Sequence, residues 1–279
     1  MPTVLVTGAT GRVGRHLVND LLDAGTTVRA LVRDPAAAAL PEAVEVVHGD
    51  ITDEAAVDRA AAGTDAAFLL WPSFSAEGAQ PVVAALTEQV SRVVYLSSLS
   101  VRDDEPPAAS GVWGEVEDLL IGSDWTFLRP SGFAVNTLGW AEEFRRGNVV
   151  RVSSPEAGRS LIHQRDIAAV AAVALLDDKH IGQKYLLTGP EVLTQTQQVA
   201  ILSEAVGKPM RIEEQSPAEA RQAMLDLGAD PTLADSSVAY WASLVTNPEP
   251  VTTTVPDLLN RPALTFQAWA EEHADDFRN

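Results

Sequence analysis

Three glycines near the start of the chain, Gly8, Gly11 and Gly14, have the spacing of a turn that binds phosphate. They follow a short apolar run and precede the helix-forming segment 15–22. In such a corner, free backbone N–H groups and the positive end of the helix dipole point to one place, which suits a pyrophosphate. Gly8 permits the tight turn, Gly11 lets the phosphate approach the backbone, and Gly14 lets helix and strand pack closely. The sequence therefore predicts a dinucleotide-binding site.

A second apolar run, residues 28–32, ends in Arg33, nineteen positions beyond Gly14. At this strand end an acidic residue would accept a hydrogen bond from a ribose 2′-hydroxyl, whereas an arginine can form a charge-assisted fork to a 2′-phosphate. Arg33 therefore predicts NADP(H), and the alternative is a solvated pair of Arg33 with Asp34. Arg12, inside the glycine turn, is either a second contact to that phosphate or a solvent-exposed side chain.

Strands and helices alternate over the first 130 residues. Strands are predicted at 44–48, 66–70, 93–97 and 125–129, with a later one at 184–188, and the last helix of this pattern at 167–176. Repeated units of this kind, joined by right-handed crossovers, form an α/β doubly wound parallel sheet, a Rossmann fold, that binds ligands at the carboxyl ends of its strands. The predicted cofactor contacts are Gly8, Thr10, Gly11, Arg12, Val13, Gly14, Arg33, Asp50, Ile51, Leu70, Trp71 and Ser97.

The pattern changes after residue 130 and predicts two lobes. Segments 1–130 and 161–188 are expected to form an NADP-binding Rossmann domain, and segments 131–160 and 189–279 a smaller, mostly helical substrate-binding lobe. The chain would leave the sheet, return once and leave again. A cleft between two lobes is a usual place for a ligand.

Composition restricts the function classes. The chain has 279 residues, of which 46% are hydrophobic, and no cysteine, so disulfides, thiolate nucleophiles and cysteine metal sites are excluded. Its formal charge of −19 opposes binding to nucleic acid. With neither a membrane-length apolar run nor a signal segment, the protein is expected in the cytoplasm and away from membranes. No side-chain cluster has convincing metal-ligand spacing, so no metal is expected.

Five motifs that together span most of the chain resemble those of the NmrA-like branch of the atypical short-chain dehydrogenase/reductase superfamily. They are Thr7-Gly8-Ala9-Thr10-Gly11-x-x-Gly14, Leu31-Val32-Arg33-Asp34, Gly49-Asp50, Leu128-Arg129-Pro130-x-x-Phe133-x-x-Asn136 and Arg165-Asp166-Ile167-Ala168. The resemblance implies either a reductase that uses NADPH on quinones or iminium ions, or a protein that only senses the dinucleotide. It also implies that Asn136 ties down a loop backbone.

The tyrosine–lysine pair typical of short-chain dehydrogenases is missing. That pair places a lysine four residues after the proton-donating tyrosine, but this chain has no lysine before Lys179, and Trp113 stands where related sequences carry the lysine. Hydride addition to an ordinary ketone makes a strongly basic alkoxide and calls for a positioned acid. An iminium ion instead becomes a neutral amine, and a quinone becomes a weakly basic phenolate. A flat or conjugated, preactivated small molecule is therefore the expected substrate.

Five aromatic residues could form a wall for such a substrate, or could simply pack in the core: Trp71, Phe74, Trp113, Phe133 and Trp140.

The polar candidates are fewer. Ser97 and Ser98 follow the fifth strand, where a hydroxyl would either hold the nicotinamide or a substrate oxygen, or form a turn. His163 is a weak candidate for a proton donor, with closure of hydrogen bonds at a helix entrance as its alternative role. Asp166 is expected to cap that helix. Residues 103–105 are expected in a solvated loop or a lid.

Two functions remain. The first is an NADPH-dependent reductase of an activated small molecule, such as a quinone or an iminium ion. The second is a noncatalytic NADP(H) sensor whose smaller lobe contacts a protein partner. An apolar aromatic pocket facing the nicotinamide would favour the reductase, and a closed cleft with an exposed apolar patch would favour the sensor.

Overall fold

The structure, a computed structural model, describes residues 1–278 and all of their side chains except those of Pro107 and Ala108. The strands in this range are β1 (Thr3–Thr7), β2 (Thr27–Val32), β3 (Glu45–His48), β4 (Ala66–Leu69), β5 (Arg92–Leu96), β6 (Trp125–Pro130), β7 (Val149–Val152), β8 (Gly158–Arg159), β9 (Lys184–Leu187), β10 (Leu193–Thr194) and β11 (Arg211–Glu214). The α-helices are α1 (Gly14–Asp23), α2 (Glu54–Ala61), α3 (Ala79–Gln89), α4 (Gly111–Leu120), α5 (Ala141–Gly147), α6 (Gln164–Leu176), α7 (Gln195–Val206), α8 (Pro217–Asp226), α9 (Pro231–Ser243), α10 (Thr254–Leu259), α11 (Phe266–Glu272) and α12 (Ala274–Arg278). Short 3-10 helices span Pro107–Ser110, Ala134–Trp140 and Asp178–His180.

Seven strands form one parallel sheet in the order β3-β2-β1-β4-β5-β6-β9. Val4 of β1 lies opposite Val28 of β2 on one side and Ala66 of β4 on the other, so the strand order reverses at β1. This reversal is the topological switch point at which doubly wound folds bind their ligands. The prediction of an α/β doubly wound parallel sheet is therefore confirmed.

Helices cover both faces of this sheet. Helix α1 packs against α6, whereas α2 packs against α3 and α3 against α4. The central strands are apolar along most of their length because both of their faces are buried, as in parallel sheets generally. Leu5, Phe68 and Tyr95 are completely buried. The carboxyl ends of the strands are thus held by a tightly packed frame.

Helix boundaries follow local capping, with one correction. Helix α2 begins after Asp53, whose carboxylate accepts a hydrogen bond from the N–H of Ala55 at 3.0 Å; of the two caps that the sequence allows there, Thr52 and Asp53, Asp53 is the one used. Helix α6 begins at Gln164, so Asp166 lies inside its first turn rather than at the cap. Asp166 is fully buried, and its carboxylate forms an ion pair with the guanidinium of Arg261 at 2.7 Å. The expected capping role of Asp166 is wrong because the helix starts earlier than the motif suggested.

The chain divides into two compact units. The first contains Met1–Pro130, Gln164–Leu187 and Thr254–Arg261, and the second contains Ser131–His163, Thr188–Thr253 and Pro262–Asn279. The segment Thr254–Arg261, which carries α10, differs from the sequence expectation because it belongs with the sheet. The chain therefore returns to the first unit twice, not once.

The second unit is mostly helical. Its largest apolar core contains Phe144, Phe266, Trp269 and Phe277, which are almost completely buried. The unit also has two small strand pairs, β8 with β10 and β7 with β11. Helices α8 and α9 pack against each other but bury little, since Ala220 is the single buried residue of α8 and Ala234 that of α9. This pair of helices therefore keeps most of its side chains at the surface.

Candidate functional site

The glycine turn after β1 has the geometry that its sequence predicts. Gly8 has a φ of +65°, which side chains rarely adopt, and its carbonyl accepts from the N–H of Gly11 at 2.9 Å. A Cβ on Gly14 would lie 2.1 Å from the Gly8 carbonyl oxygen and 2.8 Å from the Cα of Ala9. Helix α1 therefore starts in contact with the turn, and only glycine fits at position 14.

The first turn of α1 offers backbone donors to a ligand. Val13, the residue just before α1, is buried and makes no side-chain hydrogen bond that would cap the helix. Among the described residues, no hydrogen-bond acceptor is found for the backbone N–H groups of Val13 and Gly14. The carbonyl of Thr10 is occupied, since Arg15 Nε donates to it at 2.8 Å, while the side chains of Thr10 and Arg12 are exposed. Uncapped donors at a helix N-terminus fit a pyrophosphate.

Thr7 fixes the turn to the neighbouring strand. Its hydroxyl donates to the carbonyl of Phe68 at 3.0 Å and accepts from the N–H of Leu70 at 2.8 Å. A Cβ on Gly8 would lie 3.3 Å from Leu70 Cδ1, so Leu70 borders the turn directly. Sequence reasoning missed this role of Thr7, although a buried threonine at the end of an apolar strand needs a hydrogen-bond partner.

Arg33 stands exposed at the end of β2. The carboxylate of Asp34 accepts from the N–H groups of Ala36 and Ala37 at 3.0 and 3.2 Å. The structure shows no Arg33–Asp34 ion pair, and no hydrogen bond or ion pair joins Arg33 to any other described residue. Asp34 instead shapes the turn, and the Arg33 guanidinium keeps its donors for a ligand.

Asp50 and Ile51 follow β3 at the same edge. The N–H and the hydroxyl of Thr52 donate to Asp50 at 2.9 and 2.8 Å. These bonds, and to a smaller extent the charge of Arg33, hold the pKa of Asp50 below its usual value. Ile51 packs against the apolar core of the first unit. Asp50 is therefore an ionised side chain that turns the chain at the carboxyl end of β3.

The five predicted wall residues are divided between the two units, with Trp71, Phe74 and Trp113 in the first and Phe133 and Trp140 in the second. Phe74 and Trp113 meet edge to face, with ring centroids 6.3 Å apart, and Phe74 is 72% exposed. Trp71 is buried in the core of the first unit, and its indole N–H donates to the carbonyl of Ser75 at 2.8 Å. Phe133 and Trp140 belong to the second unit and pack partly against its cores. The core-packing alternative is correct for Trp71.

Ser97 is occupied, which corrects its expected role as a donor to a ligand. It is buried, and its hydroxyl donates to Glu117 on α4. The hydroxyl oxygen of Ser98 accepts from the N–H and the hydroxyl of Ser100 at 3.2 and 2.9 Å, which is the turn-forming alternative. Ser97 thus links β5 to α4, and Ser98 stabilises the following turn.

A charged network missed by sequence reasoning extends from Ser97. The guanidinium of Arg129 donates to both oxygens of Glu117 at 2.9 and 2.6 Å. Arg129 also donates to Asp103 at 3.1 Å, and Lys184 reaches the same oxygen at 2.5 Å. The hydrogen bond from Lys184 is the main cause that lowers the pKa of Asp103. Residues 103–105 are exposed, as expected for a solvated loop, and these pairs tie Asp103 to β6 and β9.

One signal in the sequence points to Glu117. Trp113, Val116 and Leu120 share a helix face, and Glu117 lies four residues after Trp113 and three before Leu120. A carboxylate on the apolar face of a helix must find a buried partner. Arg129, in the neighbouring strand β6, provides that partner.

The two remaining motif residues take structural positions. His163 lies just before α6, is 1% exposed, and has its Nε2 3.4 Å from a carboxylate oxygen of Glu272. Because His163 is enclosed, its alternative role of closing hydrogen bonds at the helix entrance is favoured over proton donation. Asn136 is exposed in the 3-10 helix 134–140, and its side chain makes no hydrogen bond with a described residue, so its expected loop-tying role is wrong.

None of the tyrosines has a lysine partner. Burial, helped by the charge of Glu117, raises the pKa of Tyr95. Tyr185 contacts Nδ1 of His180 at 2.6 Å, and Tyr240 donates to Glu249 at 2.7 Å. Burial also raises the pKa of both. All three hydroxyls therefore stay protonated at neutral pH, because burial outweighs the nearby charges of Lys179 at Tyr185 and of Arg159 at Tyr240.

Within residues 1–278, no three His, Cys, Asp or Glu side chains are placed so that they could hold a metal ion. In the same range, no helix has the length and hydropathy needed to cross a membrane.

Comparison with known proteins places this geometry among nucleotide-binding enzymes. Residues 8–178 match a family described as NAD(P)H-binding. The chain is 38% identical to a (4-alkanoyl-5-oxo-2,5-dihydrofuran-3-yl)methyl phosphate reductase of Streptomyces griseus, and the match covers 98% of this chain and 99% of that protein. It is 33% identical to an NAD(P)H azoreductase of Xenophilus azovorans, again over 98% of this chain and 99% of the relative.

A solved structure supports the same grouping. The fold is similar to that of an NADPH-dependent quinone oxidoreductase from Escherichia coli in complex with NADPH, with a TM-score of 0.80 and 26% identity. The match covers 99% of this chain and 100% of that one.

Proposed function

We propose that this chain, which belongs to the NAD(P)H-binding family within the NmrA-like atypical short-chain dehydrogenases/reductases, is an NADPH-dependent reductase of a conjugated small molecule. The proposal rests on two features that occur together. Helix α1 begins without a side-chain cap after the Gly8–Gly14 turn, and Arg33 forms no ion pair with Asp34. The first feature fits a pyrophosphate and the second a 2′-phosphate.

The proposed roles of the cofactor residues follow from their positions. The backbone of Val13 and Gly14 would donate to the pyrophosphate, and Arg33 would form a fork to the 2′-phosphate. Asp50, Leu70 and the chain at Ser97 follow β3, β4 and β5 at the carboxyl edge of the sheet, where the rest of a dinucleotide extends in this fold. When bound, the reduced nicotinamide supplies a hydride. The protein contributes position, orientation and exclusion of water.

The class of acceptor follows from the missing acid. None of the three tyrosines is paired with a lysine, so a substrate whose reduced form is a weak base is favoured. The names of the relatives support this choice, since an acyl dihydrofuranone, an azo compound and a quinone are all conjugated electrophiles. Phe74 and Trp113 are the aromatic surface that we propose for the acceptor in the first unit, with Phe133 and Trp140 as the candidates in the second.

The test combines binding with turnover. Calorimetric titration with NADPH, NADP⁺, NADH and NAD⁺ should show a preference for the phosphorylated pair. NADPH oxidation on the same sample, against a panel of quinones, cyclic imines, azo compounds and acyl dihydrofuranones, should show turnover with at least one class. Binding without turnover on the whole panel would favour the sensor function. No binding of any dinucleotide would overturn the cofactor assignment itself.

A further inference from the structure

A pocket lies entirely within the second unit. It has a volume of about 230 Å³ and is bordered by the end of β7, the start of α7, and helices α8 and α9. We propose that this pocket binds a neutral, planar aromatic molecule that carries one hydrogen-bond donor, such as a phenolic hydroxyl. The proposal goes beyond the reductase function. None of the lining residues belongs to the proposed dinucleotide site, and the pocket shares one residue, Trp140, with the candidate acceptor surface of the second unit.

The walls of the pocket are mainly apolar and include two indole rings. Trp140 and Trp241 line it together with Met224, Val238 and Val152. Indole faces and a thioether are well suited to contact a flat ring, because aromatic pairs stack and sulfur packs favourably against ring edges. These walls therefore favour a planar apolar ligand.

Trp241 is held in place by an ion pair behind it. The guanidinium of Arg159 lies 4.9 Å from the Trp241 ring centroid and pairs with Glu249 at 2.7 Å. Glu249 is 4% exposed and also accepts from the N–H of Ser160 at 3.0 Å and the hydroxyl of Tyr240 at 2.7 Å. The indole wall is thus fixed before a ligand arrives, which lowers the entropic cost of binding.

Gln195 provides a buried polar group in the lining of this pocket. It is only 4% exposed, and its side-chain N–H donates to the carbonyl of Ser154 at 2.8 Å. That bond assigns the amide orientation and leaves the amide oxygen as an acceptor, for which no donor is found among the described residues. This oxygen is not one of the fully buried unpaired atoms of the described residues, so it stays accessible and can accept one hydrogen bond from a ligand in the pocket.

The charges at the pocket indicate a neutral ligand. Arg151 is the charged residue of the lining, and it lies 3.5 Å from carboxylate oxygens of both Glu143 and Glu213. The guanidinium is therefore already neutralised, so an anionic ligand would gain little there and would be repelled by the two carboxylates.

The volume sets the size of the ligand. An apolar cavity of roughly 150 Å³ is known to hold benzene. The 230 Å³ measured here leaves room for a larger ring system, such as two fused rings, but is smaller than the pockets that hold drug-sized molecules. Beta-naphthol, with two fused rings and one phenolic hydroxyl, is a suitable probe.

The first experiment blocks the pocket. Ala223 lines it from the exposed side of α8, so Ala223→Trp should fill it without disturbing the core. Ala218, on the same helix but outside the lining, gives the matched control Ala218→Trp. We expect calorimetry to show saturable binding of beta-naphthol to the wild type and the control, and a loss of about tenfold or more in affinity for Ala223→Trp.

The second experiment tests the hydrogen bond. Gln195→Met keeps the length of the side chain and removes the acceptor. It should weaken beta-naphthol binding about five- to tenfold and leave binding of its methyl ether, which has no donor, unchanged. Thermal unfolding and NADPH titration of each variant check that both units remain folded.

Two results would overturn the proposal. One is the absence of saturable beta-naphthol binding to the wild type at millimolar concentration. The other is equal affinity of the wild type and Ala223→Trp, which would mean that the probe binds elsewhere, for example at the site of the reductase acceptor. An equal effect of Gln195→Met on the naphthol and its methyl ether would refute the assigned hydrogen bond.

Discussion

Arg129 and Glu117 form a two-bond ion pair that is almost closed to solvent, with side chains 5% and 6% exposed. The pair joins β6 to α4, and Ser97 joins β5 to the same carboxylate. Arg129 is the central residue of the Leu-Arg-Pro motif, so this geometry gives the motif a structural purpose. It fixes the end of β5, where the chain passes the proposed nicotinamide region.

Glu117→Gln should strongly destabilise the protein, because it leaves the Arg129 guanidinium buried without a counter-charge. The expected loss is about 3–5 kcal/mol in the free energy of unfolding, measured by urea titration. The control is Glu142→Gln, since the Glu142–Arg146 pair is exposed and contributes at most about 1 kcal/mol. Similar losses in the two variants would contradict this account.

Arg33→Ala should weaken NADPH binding by about 1.5–3 kcal/mol, the strength of hydrogen bonds to a charged group, and leave NADH binding nearly unchanged. Isothermal titration of both dinucleotides measures the difference. Arg146→Ala, which removes the same charge from an exposed site, controls for long-range electrostatics. Equal weakening of NADPH and NADH would rule out the assignment of Arg33 to the 2′-phosphate.

Gly14→Ala should disrupt the turn that precedes α1. Its Cβ would lie 2.1 Å from the Gly8 carbonyl oxygen, a backbone atom that cannot rotate away. Forced displacement of this kind costs about 1–3 kcal/mol, and we expect both the melting temperature and the NADPH affinity to fall. A Cβ on Gly139 meets no other atom within 4 Å, so Gly139→Ala is the control. If Gly14→Ala bound NADPH as the wild type does, the turn would not be the phosphate site.

Stability should decrease as the pH falls below the usual histidine pKa of 6.5. Burial, and then the charge of Lys179, lowers the pKa of His180 from that value. The unfolded chain therefore takes up a proton at a higher pH than the folded protein. The contribution of His180 is complete above pH 6.5 and is lost as the pH falls through the folded pKa. A buried Nε2 that has no partner among the described residues adds to the cost of protonation.

Urea unfolding between pH 8 and pH 5 checks this effect, a range of about three units around the ordinary histidine value. His180→Gln should flatten the decrease, whereas His48→Gln, at an exposed position, should follow the wild-type curve. An unchanged slope in His180→Gln would assign the decrease to other groups.

The sheet and the glycine turn were predictable because their signals are local. An apolar run, a glycine at each required position and a cap such as Asp53 determine a strand, a turn or a helix start within a few residues. The same local reasoning placed Arg33 correctly at the end of β2.

The partners of side chains were less predictable because they depend on distant segments. Ser97 and Glu117 are 20 residues apart, and Arg159 and Glu249 are 90 apart, so no short pattern connects them. From the sequence, a serine hydroxyl at a strand end can be interpreted either as a ligand contact or as a donor within the protein, and only the identity of its acceptor decides between the two. The position of α10 in the first unit depends in the same way on segments distant in sequence, since this helix packs against α6 and β9.

The alternation of the two units along the chain has a consequence for biosynthesis and for protein engineering. Each unit consists of three segments, so the polypeptide passes from one to the other five times. Six of the seven sheet strands lie in the first 130 residues, but the first unit is complete only once residue 261 has left the ribosome. Neither unit can be excised, transplanted or expressed as one continuous piece, and a deletion from residue 254 onward removes part of both.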